Sequence, residues 1–107
     1  MGYSDVYERR MADVLDGLTR AGYGDQFRGE PGGIRGMKSG LLHSPADLLI
    51  ERSERFEGIS DPADESLVLA LRCRVHGCLG TYVVPFGKDM PSTDAALIRE
   101  IPDARRR

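Results

Sequence analysis

Cys73, His76 and Cys78 stand close together in the chain and are the residues best suited to chemistry. Thiolate and imidazole are the preferred ligands of zinc, and a structural ion wants four such donors. The only other histidine is His43, far upstream. The flanking residues read as a hairpin turning at His76-Gly77, with Val75 opposite Cys78. In that register the cysteines are diagonal neighbours about 7–8 Å apart, facing an apolar core, too distant for an unstrained disulfide. The expectation is a pair of small buried thiols, with no metal and no cofactor.

Other groupings fail on detail. Gly29, Gly32, Gly33, Gly36 and Gly40 with Lys38-Ser39 imitate a phosphate cradle, but a P-loop needs glycine directly before the lysine, where this chain has Met37. Gly33-Ile34-Arg35-Gly36 imitates the GxxG loop of a KH domain without the amphipathic helices that should flank it. The segment reads as a mobile loop with a short strand around Ile34 to Lys38. Asp61, Asp64 and Glu65 could hold a cation, although Ser60-Asp61-Pro62 makes turn chemistry the simpler reading. No Ser/His/Asp or Cys/His catalytic set assembles. Arg55, Arg72 and Arg74 are the candidate ligand-binding residues, with a small phosphorylated molecule as the ligand they would suit.

The chain has 107 residues, 40% of them apolar and 30% charged, the profile of one ordinary domain. A domain of this size has one core and little room for a deep cavity, so a ligand would sit in a groove or between subunits. The net charge of -2 argues against a dedicated nucleic-acid or membrane-surface binder, which needs a clustered positive field. Nearly all of the 15 basic residues are arginine, a bias that a GC-rich coding genome explains as simply as guanidinium recognition. No apolar run approaches the roughly 20 residues that cross a bilayer, and the start has no signal-peptide pattern. The expectation is a cytoplasmic protein with reduced thiols.

The elements that must position these residues follow from periodicity. Tyr3, Tyr7, Met11, Val14, Leu15 and Leu18 share one stripe of a helix from about Ser4 to Ala21, ended by Gly22. Tyr23 and Phe27 anchor the turn that follows. Ser44-Pro45-Ala46-Asp47 opens one helical turn, and a strand runs from about Leu48 to Glu57, with Leu48, Ile50 and Phe56 on one side. In the next strand Leu67, Leu69, Leu71, Cys73 and Val75 face the core, joined from the hairpin partner by Gly80, Tyr82, Val84 and Phe86. Ser92 caps a last helix with Leu97, Ile98 and Ile101 as its stripe, stopped by Pro102.

This order predicts an α+β two-layer sandwich: a small antiparallel meander of three or four strands, with the N- and C-terminal helices on one face. Residues 1–103 form the single domain, and 104–107 make a basic, frayed tail. Val68, Ala70, Leu79 and Val83 leave the outer face of the sheet apolar, so either another segment of the chain or a second copy should cover it. The expected function is that of a non-catalytic accessory or regulatory module that self-associates as a homodimer and binds a protein or small molecule. The alternatives are a small enzyme or binding protein for a phosphorylated metabolite, and a weak nucleic-acid binder.

Ala21-Gly22-Tyr23 with Phe27, the Arg55-Phe56-Glu57-Gly58-x-Ser60-x-Pro62-x-Asp64 block, and Gly80 to Gly87 resemble a group of small bacterial proteins of similar length and no established function. Many of these carry a phosphoribosylpyrophosphate synthetase label. A true synthetase of that kind is far longer and has an acidic, glycine-rich ribose-phosphate loop that this chain lacks. The resemblance therefore implies a small domain with no catalytic residues to carry over.

Overall fold

A computed structural model describes residues 3–56, 65–86 and 90–104, with side chains from Arg10 onward. The Ser60-Asp61-Pro62-Asp64 turn, the Arg105 to Arg107 tail and the packing of Tyr3 and Tyr7 lie outside the described residues. The elements are α1 (Tyr3–Arg20), β1 (Asp25–Glu30), β2 (Gly33–Gly36), β3 (Leu42–His43), a 3-10 turn (Pro45–Asp47), β4 (Leu48–Phe56), β5 (Ser66–Cys73), β6 (Leu79–Pro85) and α2 (Ser92–Glu100).

The predicted meander is present as β4-β5-β6, but it is half of the sheet. Six strands run in the order β3-β2-β1-β6-β5-β4, and β1 joins β6 in parallel through Asp25 opposite Gly80 and Phe27 opposite Tyr82. This overturns the expectation of a three- or four-stranded antiparallel sheet. Asp25-Gln26-Phe27-Arg28-Gly29-Glu30 carries a single large apolar residue and reads as a loop; the strand is held by ladders on both sides, with β2 and with β6.

The helices also part company. Alternation along β5 sends Leu67, Leu69, Leu71 and Cys73 to one side, where Leu97 and Ile101 of α2 close the main core. Val68 and Ala70 go to the other side, where Leu18, Val14, Leu15 and Met11 of α1 cover them. The two helices thus lie on opposite faces rather than on one. In β4 a bulge between Ile50 and Arg52 shifts parity, so Ile50 packs in the α2 core while Phe56 packs beneath α1.

The connection between β3 and β4 dictates the shape of the sheet. These are its two edge strands, yet only residues 44–47 separate them. From His43 to Leu48 an extended chain reaches about 17 Å at most. The edges of a flat sheet of this many strands would be about 24 Å apart. The sheet must therefore curl on itself, which brings the end of β3 over the end of β5 and encloses the core.

The β5–β6 hairpin differs from expectation by a register step. Arg72 lies opposite Leu79, so the loop comprises Arg74 to Gly77, with Gly77 in the left-handed region at φ 76°. A shift of this even size leaves the side chains that stay within the paired strands on their expected faces. It does move the cysteines: Cys73 and Cys78 become directly opposed, and the Cys73 amide donates to the Cys78 carbonyl at 2.8 Å. Val75 leaves the inner face and stands 64% exposed on the loop.

Candidate metal centre

The curl gathers a compact set of ligand atoms. His43 ends β3, Cys73 ends β5, and His76 sits on the loop that follows. Among the described residues, one nitrogen from each imidazole and the Cys73 Sγ all lie within 4.8 Å of one another. Cys73 Sγ is 3.5 Å from His76 Nδ1 and also accepts the His76 backbone N–H at 3.3 Å. Zinc bonds of about 2.3 Å to sulfur and 2.0–2.1 Å to nitrogen imply a tetrahedral edge of about 3.6 Å. The Cys73–His76 pair already matches that edge.

His43 is the unusual member. It is 2% exposed, and neither ring nitrogen has a hydrogen-bond partner. The ring packs edge-on against Phe27 at 5.5 Å and against His76 at 5.4 Å. Buried polar groups are nearly always satisfied, and an orphan costs about 1–3 kcal/mol. Burial and the neighbouring His76 hold the His43 imidazole below its ordinary pKa, against the opposing pull of Asp25 and Asp47. The ring is thus neutral at physiological pH, which is the form that ligates a metal.

Type and spacing single out Cys73, His76 and Cys78 for zinc, although the expected register makes the cysteines buried thiols without a metal; the structure brings Cys73 and His76 together. His43 is the donor that spacing could not supply, because its approach depends on the curl of the whole sheet. Cys78, partly buried against the core, stands outside the three-atom cluster. The fourth place of a tetrahedral site is consequently left to a water or to an external donor.

The arginines do not converge. Arg55 lies over the Phe86 ring at 4.5 Å and 3.7 Å from Glu65. Arg72 pairs with Glu51 at 2.5 Å, whose other oxygen accepts the Tyr23 hydroxyl at 2.6 Å. Arg74 donates to the Ala46 carbonyl. Arg55 and Arg72 belong to opposite ends of the β4–β5 ladder, and each is engaged within the fold.

The glycine-dense segment forms β2 and the tight turns around it. Its backbone amides are already used: Asp25 accepts Lys38 N at 2.7 Å and Ser39 N at 3.4 Å, alongside its own neighbour Gln26 N. Burial pushes the Asp25 carboxyl up, but these bonds and the Ser39 hydroxyl outweigh it and hold the pKa below the ordinary carboxylate value. The amides that would cradle a phosphate therefore hold an internal carboxylate instead.

Of the residues expected on a self-association face, Val68 and Ala70 are fully covered by α1 and Leu79 is partly covered, while Val83 remains 39% exposed. No described helix is long and apolar enough to cross a membrane. Compared with protein family models, with curated proteins and with solved structures, the chain matches none. Its function is accordingly argued from the site.

Proposed function

We propose that this protein is a non-catalytic, cytoplasmic accessory module whose ligand is a borderline-soft divalent metal ion, with zinc the best fit, held by His43, Cys73 and His76. The observation that carries the reading is the His43 ring: buried, neutral, without a hydrogen-bond partner, and aimed at a thiol and a second imidazole. One thiolate with two imidazoles selects zinc or its neighbours over magnesium and calcium, which want oxygen donors. Binding releases the Cys73 proton and gives one His43 nitrogen the partner it lacks. The surroundings suit a cation, since the carboxylates of Asp25 and Asp47 act on His43. A reducing compartment keeps the thiol available.

The test is titration of the reduced protein with cobalt(II), a visible substitute for zinc. One equivalent should produce a thiolate-to-cobalt charge-transfer band that zinc abolishes, and zinc should raise the melting temperature. His43→Ala and Cys73→Ser should each remove the band. A featureless titration, with a melting temperature unmoved by either metal, would exclude the proposal.

A further inference from the structure

Cys78 has no place among the three ligand atoms, yet the hairpin sets it against one of them. The β5–β6 ladder ends at Arg72 and Leu79, and the next residues, Cys73 and Cys78, face each other across the start of the loop through a single bond from the Cys73 amide to the Cys78 carbonyl, the Cys73 carbonyl accepting from Gly77 N–H instead. Opposed residues of an antiparallel pair share a face, with Cα atoms about 4.5–5.5 Å apart. That separation falls inside the range of about 4.4–6.8 Å that a disulfide spans. Both sulfurs are free thiols, Cys73 fully buried and Cys78 only partly. A ligand cysteine thus faces a second cysteine across the hairpin, at a backbone separation that a disulfide can span, and the second is the less buried of the two.

We infer that Cys78 is a resolving thiol: a low-molecular-weight disulfide converts Cys73 and Cys78 into an intramolecular disulfide and thereby discharges the metal. This rests on the metal-binding reading above. The Cys78 thiolate attacks one sulfur of the small disulfide, forming a mixed disulfide and expelling one small thiolate. The Cys73 sulfur then attacks the Cys78 sulfur, closing the Cys73–Cys78 bond and expelling the second small thiolate. The cysteine pair loses two electrons and the small disulfide gains them. The Cys78 proton ends on one small thiol, and the other small thiolate takes its proton from solvent, because Cys73 gave up its own to solvent when the metal bound. Cys73 no longer offers an anionic sulfur, so the ion keeps only His43 and His76. A small thiol in excess reverses the exchange and restores the site.

The experiment loads the reduced full-length protein with one equivalent of zinc and adds oxidised glutathione. Zinc release is followed with a chromogenic chelator, and the protein's state by intact mass and by digestion. Wild type should release its zinc in step with the mass loss of a Cys73–Cys78 disulfide, and dithiothreitol should return both. Cys78→Ser should bind zinc when reduced as wild type does, and should retain it through the same exposure. Release from Cys78→Ser as fast as from wild type would overturn the inference, as would a folded Cys78→Ser that binds no zinc, which would make Cys78 a ligand. Should the variant fail to fold, metal-free wild type decides: glutathione left on Cys78 as a stable adduct, with no internal disulfide, also overturns it. Failure of the metal reading is distinct, because reduced wild type would then take up no zinc at the first step.

Discussion

The Tyr82 hydroxyl, carried on β6, donates to the Asp94 carboxylate of α2 directly above Gly29 of β1. A Cβ at position 29 would press on the Asp94 carboxylate oxygen and lie 2.6 Å from the Tyr82 oxygen, so any side chain there must displace this bonded pair. Burial, and then Asp94 itself, push the Tyr82 phenol far above its ordinary pKa, so it remains a donor throughout the accessible pH range. Gly29→Ala should destabilise the fold by about 1–3 kcal/mol through overpacking. Tyr82→Phe should cost about 1–2 kcal/mol through the lost bond. Urea denaturation measures both, and equal stability of Gly29→Ala and wild type would contradict the packing described.

His43 opposes stability to binding. His43→Leu removes a buried orphan and should make the metal-free protein more stable by about 1–2 kcal/mol. The same change should abolish the rise in melting temperature expected of wild type with zinc. Metal-free His43→Leu less stable than wild type would mean that the imidazole already has a partner.

Asp25 should govern part of the acid limb of stability. Its carboxyl pKa lies below the ordinary 3.8 in the folded protein, so the folded state binds this proton less readily than the unfolded chain does. The stabilisation is complete above 3.8 and drains away as pH falls through the lower folded value. Asp25→Asn, which loses acceptors for the 36–39 turn, should cost about 1–3 kcal/mol at neutral pH and flatten the dependence in acid. Urea midpoints from neutral pH downward check the sign.

The two valines expected on one outer face should now behave differently. Val68, at 1% exposure under α1, cannot accommodate a charge, and Val68→Asp should cost about 3 kcal/mol or more. Val83 is exposed, and Val83→Lys should stay within about 0.5 kcal/mol of wild type. Circular dichroism melts separate the outcomes, and sedimentation of Val83→Lys shows whether that residue bears on association.

Side-chain alternation in β5 and β6 could be read directly from the residues, because Leu67 to Cys73 and Gly80 to Val84 each meet a core on a known side. The first helix, the 3-10 turn at Pro45 and the strand from Leu48 were legible for the same reason: each carries its own capping or periodic signal. β1 was not, since Arg28, Gly29 and Glu30 show no local preference for a strand and only neighbouring strands order them. The bulge beside Ile50 was equally silent, and it sends Phe56 to the face opposite Ile50 despite their shared parity. The site was half legible. Cys73 and His76 announce themselves by type and spacing, but His43 reaches them through a sheet curl set by the four residues between β3 and β4, a geometric constraint that appears only once the strand order is known.

The parallel contact of Asp25 with Gly80 has a temporal corollary. During synthesis His43 leaves the ribosome well before Cys73 and His76, and the strand that clamps β1 into the sheet emerges later still. On the proposed metal reading, ion capture would therefore belong to the finished domain rather than to the growing polypeptide, and occupancy would serve as a certificate that the last central strand has docked.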